Sequence, residues 1–167
     1  AANSRAWASG RRLLEEAIRD RHDFAFETTL GGSTITGLLF EASRQGFEVR
    51  VWYAGLSTPE LHVARVAARV RYGGHDIPEQ DVRRRYDQSR RNLVVLLPHL
   101  HEIQVYDNSA EGDPTTGATP RPKLVLHLRR GKIIGPPILG RTPAWARPIV
   151  AAARKIALSQ PESVLFV

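Results

Sequence analysis

Phe24-Ala25-Phe26-Glu27-Thr28-Thr29-Leu30 is a short apolar run that leads straight into a carboxylate and two hydroxyls. Its composition predicts a strand over residues 24–28 with a polar carboxyl end. Upstream, residues 5–20 set Leu13, Leu14, Ala17 and Ile18 on one stripe, with Arg11, Arg12, Glu15, Glu16 and Arg19 mostly elsewhere, which is amphipathic helix spacing. Downstream, residues 33–45 return to that spacing through Ile35, Leu38, Leu39 and Ala42 and stop at Gly46, a C-cap residue. Residues 47–56 then read as a second strand.

The alternation continues. Ser57-Thr58-Pro59-Glu60 combines a hydroxyl cap, a first-turn proline and an acid at the positive end of the dipole, which predicts a helix to about Tyr72. Gly73-Gly74-His75 breaks it, and Asp76-Ile77-Pro78-Glu79 repeats the start signal for a longer helix toward Leu97, where Pro98 ends or kinks it. Residues 103–106 form a third predicted strand, 108–122 a loop rich in Ser, Gly, Asp, Thr and Pro, and 123–129 a fourth strand ending in a turn at Gly131. A last helix is predicted over 144–158. Strands separated by helices predict an α/β fold with a mostly parallel sheet and right-handed crossovers.

The chain has 167 residues, enough for one compact domain and too few for two substantial ones. Hydrophobic residues make up 42% and no stretch approaches the roughly 20 apolar residues of a membrane span. The first residues lack the apolar core of a signal peptide, so a cytoplasmic protein without membrane association is the expectation. The absence of cysteine excludes disulfides, thiol catalysis and thiolate zinc sites.

A net charge of +7 points to an anionic partner or substrate. No acid lies between Asp113 and Glu162, while Arg121, Lys123, Arg129, Arg130, Lys132, Arg141, Arg147, Arg154 and Lys155 supply nine cations. A second group of arginines, from Arg65 to Arg91, is interleaved with Asp76, Glu79, Asp81 and Asp87 and is partly self-neutralised.

Ligands of parallel α/β sheets bind beyond the carboxyl ends of the strands. Topology therefore nominates Glu27-Thr28-Thr29, Ser57-Thr58 and Asp107-Asn108-Ser109. Glu27 can hold a substrate hydroxyl, because acids are seldom buried without a partner. Thr28 and Thr29 can bind a ligand or simply satisfy backbone donors at a turn. The stretch 69–78 joins two helices through a glycine pair flanked by cations, which is how a lid could bring guanidiniums over a phosphoryl group. The plainer reading is an exposed helical hairpin with intrahelical pairs such as Asp81 with Arg85. His75 can contact phosphate or serve as a surface or capping group, and His62, His99 and His101 read as structural. The phosphate-cradling pattern G-x-x-x-x-G-K-[ST] is absent. Gly135-Pro136-Pro137-Ile138-Leu139-Gly140-Arg141-Thr142 comes nearest, but Arg replaces the lysine and two prolines remove backbone donors.

Together, residues 24–30, Arg71-Tyr72-Gly73-Gly74-His75-Asp76-Ile77-Pro78, Arg83-Arg84-Arg85-Tyr86 with Asn92-Leu93, and Tyr106-Asp107-Asn108-Ser109 resemble the zeta-toxin-like family of P-loop kinases, including its chromosomal predicted-ATPase branch. The resemblance covers about Gly10 to Ser109. It implies a three-layer, mostly parallel sheet of the P-loop NTPase type, and an ATP- and Mg2+-dependent phosphotransferase acting on a small-molecule hydroxyl. A UDP-amino sugar is the acceptor its toxin members use. On this likeness Glu27 and Thr28 would bind substrate, and Arg71, His75, Arg84, Arg85, Asp107 and Asn108 would lie at the nucleotide. The toxins carry Glu-Gly-Thr where this chain has Glu27-Thr28-Thr29. The family's phosphate loop and catalytic aspartate are expected upstream of Ala1, so the fold would be incomplete at its N-terminus and the 167 residues inactive alone. The expected organisation is a single domain over 1–167, with a kinase-like core at 1–109 lacking its phosphate loop, then a loop, a strand and a basic helix at 110–167. The other reading is a non-catalytic basic module that binds nucleic acid or an acidic antitoxin-like protein. An aromatic content of 7%, with no run that interleaves aromatic and basic residues in the C-terminal third, speaks against a base-stacking surface there.

Overall fold

The computed structural model describes residues 2–111 and 121–159, and side chains from residue 7 onward within the first helix. Five α-helices and four strands make up the regular structure of the described residues, besides short 3-10 turns. They are α1 (Ala2–Asp20), α2 (Ser33–Arg44), β1 (Arg50–Gly55), α3 (Pro59–Arg71), α4 (Glu79–Leu96), β2 (Glu102–Asp107), β3 (Lys123–Arg129), β4 (Lys132–Gly135) and α5 (Arg147–Ser159). The chain is an α/β protein with an open mixed sheet.

Local chemistry accounts for the helix ends. Thr58 Oγ1 accepts from the Leu61 amide at 3.1 Å, and Pro59 opens α3. Gly46 takes φ +87 just past α2, where a β-carbon would be strained. The start signal before α4 works without a cap: Pro78 is the N-cap residue and makes no side-chain bond. Leu97–His99 continue α4 as a 3-10 turn, with Pro98 in its first positions.

Strand order is β1-β2-β3-β4. β1 pairs parallel to β2, whereas β2 with β3 and β3 with β4 are antiparallel. The expected mostly parallel sheet is therefore mixed. A parallel pair needs a crossover, and α3 and α4 supply one between β1 and β2. No described helix separates β2 from β3, and only Arg130 and Gly131 separate β3 from β4. The latter form the turn expected at Gly131, with φ +49 and +74, and it leads into a strand, β4, that the sequence reading did not assign. Residues 112–120 of the expected loop lie outside the described residues.

The larger correction concerns residues 24–28, which are not a strand. They run extended and irregular between α1 and α2, and Leu30 turns the chain with φ +51. A strand exists through its ladder, and β1, the edge of the sheet, has no described neighbour on its outer side.

The core lies on one face of the sheet. Ile103, Val105, Leu126 and Leu128 are at most 2% exposed and pack with Leu93, Leu96 and Leu97 of α4 and its extension and with Ile149 of α5. No helix among the described residues is long and apolar enough to cross a membrane.

Candidate functional site

A cavity of about 1300 Å3 opens where the first strand was expected. Its walls are extended residues 21–30 on one side and β1 with its approach, residues 46–54, on the other. Consecutive residues of β1 line it, so the strand's edge as well as its side chains faces the space. Leu14 and Ile18 of α1, and Val82, Arg85 and Tyr86 of α4, complete the walls.

Glu27, Thr28 and Thr29 line this cavity and are exposed. They are carried by a tightly held turn. Thr28 Oγ1 accepts from the Leu30 amide at 3.1 Å, the backbone role set against ligand binding for that residue. Asn92 of α4, only 8% exposed, donates through Nδ2 to the carbonyls of Leu30 at 2.7 Å and Gly32 at 3.2 Å. Leu30 itself is buried. Arg85 packs against this turn: its stem occupies the place a β-carbon on Gly31 would need, with Cγ at 2.9 Å from that position. Glycine at 31 is what lets the arginine approach the turn.

Behind Arg85, α4 is fastened to the strand layer by tyrosines. Tyr53 of β1 and Ser89 share a hydrogen bond of 3.0 Å, and burial pushes the Tyr53 phenol above its usual range. Tyr86 donates to the Ser57 carbonyl at 2.8 Å, its ring lies under the Arg90 guanidinium at 3.8 Å, and the edge of His62 meets it. Burial, then the Arg65 and Arg90 charges, hold His62 below the ordinary imidazole range, which favours the neutral ring.

The other expected site residues are elsewhere. Arg71 ends α3 and His75 lies in the turn before α4; both are exposed and neither lines the cavity. That turn is organised by Arg69, which packs its stem over Gly74 and donates to the His75 carbonyl at 3.1 Å. Arg84 is outside the cavity and pairs with Asp81 at 2.7 Å. The pairing expected of Asp81 with Arg85 thus goes to Arg84 at three residues' spacing, leaving Arg85 to the cavity.

Asp107 and Asn108 sit at the carboxyl ends of the parallel pair, as topology predicts, but form a structural corner. Asp107 Oδ1 accepts from the Ser109 amide at 3.1 Å, from the Ser109 hydroxyl, and from Trp145 Nε1 at 3.3 Å. The Asn108 amide donates to the Gly55 carbonyl at 2.9 Å. Trp145 lies flush on Gly55, where a β-carbon would fall 2.3 Å from the indole.

Of the eight expected residues, the fold brings Glu27, Thr28 and Arg85 to one cavity and distributes the other five. Asn92, Tyr86 and Trp145 were not assigned site roles from sequence. Asn92 carries a legible signal, an amide set beside Leu93 on the buried stripe of an otherwise apolar helix end.

ATP and Mg2+ require a phosphate cradle and oxygen ligands for the metal. Among the described residues no group of three His, Cys, Asp or Glu side chains could hold a metal ion. The stretch from Gly135 to Thr142 leaves β4 into a 3-10 turn at Leu139–Arg141 rather than cradling toward a helix. These residues do not fit the triphosphate and its metal, and no step is derived through them.

No family model matches the chain, and no solved structure matches it. It is 39% identical over 74 residues to an uncharacterized protein of Haemophilus influenzae, across 44% of this chain and 53% of that protein. The chain thus spans about half the length of the curated relative it matches.

Proposed function

We propose that the chain carries the acceptor side of an ATP-dependent phosphotransferase of zeta-toxin-like, P-loop kinase type, acting on a small-molecule hydroxyl. The supporting observation is the cavity at the edge of β1, whose lining includes Glu27, Thr28 and Arg85. Phosphoryl transfer asks little covalent chemistry of a protein and depends on positioning and charge. A carboxylate that accepts the acceptor hydroxyl's proton bond and a guanidinium that meets phosphoryl oxygens in bidentate fashion are the parts such a site needs. This reading assigns the phosphate cradle, the metal and the base to sequence outside these 167 residues, and a UDP-amino sugar is the acceptor to try first.

The experiment uses the protein extended by whatever coding sequence lies upstream. Calorimetry with Mg2+-ATP should show binding, and UDP-N-acetylglucosamine should be phosphorylated. Glu27→Gln should lower kcat/KM by about 100-fold with ATP affinity unchanged. Absence of Mg2+-ATP affinity in the extended protein would falsify the reading.

A further inference from the structure

The sheet has a second face, and its chemistry differs from the first. Residues directly opposite across a ladder point to the same side. Register places Trp52 opposite Gln104, Gln104 opposite His127, and Ala54 opposite Tyr106. Arg50 lies opposite Glu102, Glu102 opposite Arg129, and Arg129 opposite Lys132. This is the side away from Ile103, Val105 and Leu128.

Along β2 the polar groups of this face are ordered into a row. The Tyr106 hydroxyl donates to Gln104 Oε1 at 2.5 Å, Gln104 Nε2 to Glu102 Oε1 at 3.3 Å, and His127 Nε2 meets the same Glu102 oxygen at 2.8 Å. The row forms a flat, pre-arranged platform. Beside it Trp52 is 65% exposed, an arrangement that forgoes about 2 kcal/mol of burial for an aromatic of that size. At one end stand Arg50, Arg129 and Lys132 against Glu102 and against Glu48, which pairs with Arg50 at 2.5 Å, a local excess of one positive charge.

We propose that this face binds single-stranded nucleic acid. Exposed aromatics on a sheet stack unpaired bases, amide and imidazole groups bond base edges, and flanking cations follow the backbone. The net charge of +7 supplies the long-range attraction. Charge and composition favour this occupant over a protein, whose interface core would want a contiguous apolar patch where Gln104, Glu102 and His127 stand. A duplex would hide the base faces that Trp52 can reach. Arg50 and Trp52 also line the β1 cavity, whereas Glu102, Gln104, Tyr106, His127, Arg129 and Lys132 do not; oligonucleotide binding is a readout that the phosphotransferase reading does not call for.

The test is fluorescence anisotropy of the 167-residue chain with labelled oligo-U and oligo-dT of about 12 nucleotides. Binding is expected at about 50 mM salt and should weaken steeply toward about 200 mM. Trp52→Ala, at an exposed position, should weaken it about 5- to 100-fold, while Trp52→Phe retains most of it. The double change Arg129→Gln with Lys132→Gln should reduce the salt slope by about 1.4. Lack of binding at low salt, equal affinity in Trp52→Ala with the fold intact by circular dichroism, or equal competition by duplex would each overturn the proposal. So would sedimentation showing that Trp52 instead mediates self-association.

Discussion

Asn92 does more for the candidate site than any residue that lines it. Its amide is buried and ties Leu30 and Gly32, 62 and 60 positions away in sequence, to α4. Without it the buried Leu30 carbonyl and the part-buried Gly32 carbonyl lose their donor at a left-handed turn. Asn92→Ala should cost about 1–3 kcal/mol by urea denaturation, and amides of residues 28–32 should exchange faster with solvent. Gly55 makes a separate demand, because the Trp145 ring occupies the space of its missing side chain. Gly55→Ala should destabilise by about 1–3 kcal/mol through overpacking, with a change in Trp145 fluorescence marking the displaced ring. Glu27 was legible in sequence as a carboxylate after an apolar run. Trp145 was not, because nothing in a local pattern says which glycine an indole will cover.

Among the elements, α4 organises the molecule. One stripe of it joins the core through Leu93 and Leu96, another holds the Leu30 turn, and a third bonds Tyr53 and Ser57. Helix boundaries followed from caps and breakers, and the expected starts at Ser33, Pro59 and Glu79 agree with those observed. Strand pairing did not follow in the same way, since residues 24–28 have a strand's composition but no ladder. Between α3 and α4 lies a pH-sensitive contact. His62 is kept neutral by burial and by Arg65 and Arg90, so its folded pKa lies below its unfolded value. That contribution to stability is full above the unfolded value of about 6.5 and is lost as pH falls through it toward the lower folded value. Urea midpoints should therefore drop between about pH 7 and pH 5, and His62→Gln should flatten that slope. An unchanged slope would place the proton uptake on other groups.

For the whole molecule, stability rests on one apolar layer between the sheet and α4 and α5. Leu126 is fully buried within it. Leu126→Ala should cost about 2–5 kcal/mol and lower a single cooperative melting transition, as calorimetry would show. Two transitions would mean that the β3–β4 hairpin unfolds separately. The same sheet carries the two proposed sites, a cavity along the edge of β1 and a polar platform on the face opposite the core, which meet at Arg50 and Trp52 of β1. By itself the sequence determined what depends on neighbours a few positions away: helix spans to within a few residues, the Thr58 cap, the turn at Gly131, the basic C-terminal third and the carboxylate at Glu27. Only the tertiary structure decided which strands pair, that the sheet is mixed, that Arg85 and not Arg84 meets Glu27's cavity, and that Trp52 shares a face with Arg129 and Lys132. The physical reason is that helical bonds close within four residues, whereas a ladder, a cavity wall or a shared face depends on partners far away in the chain, which no local spacing identifies.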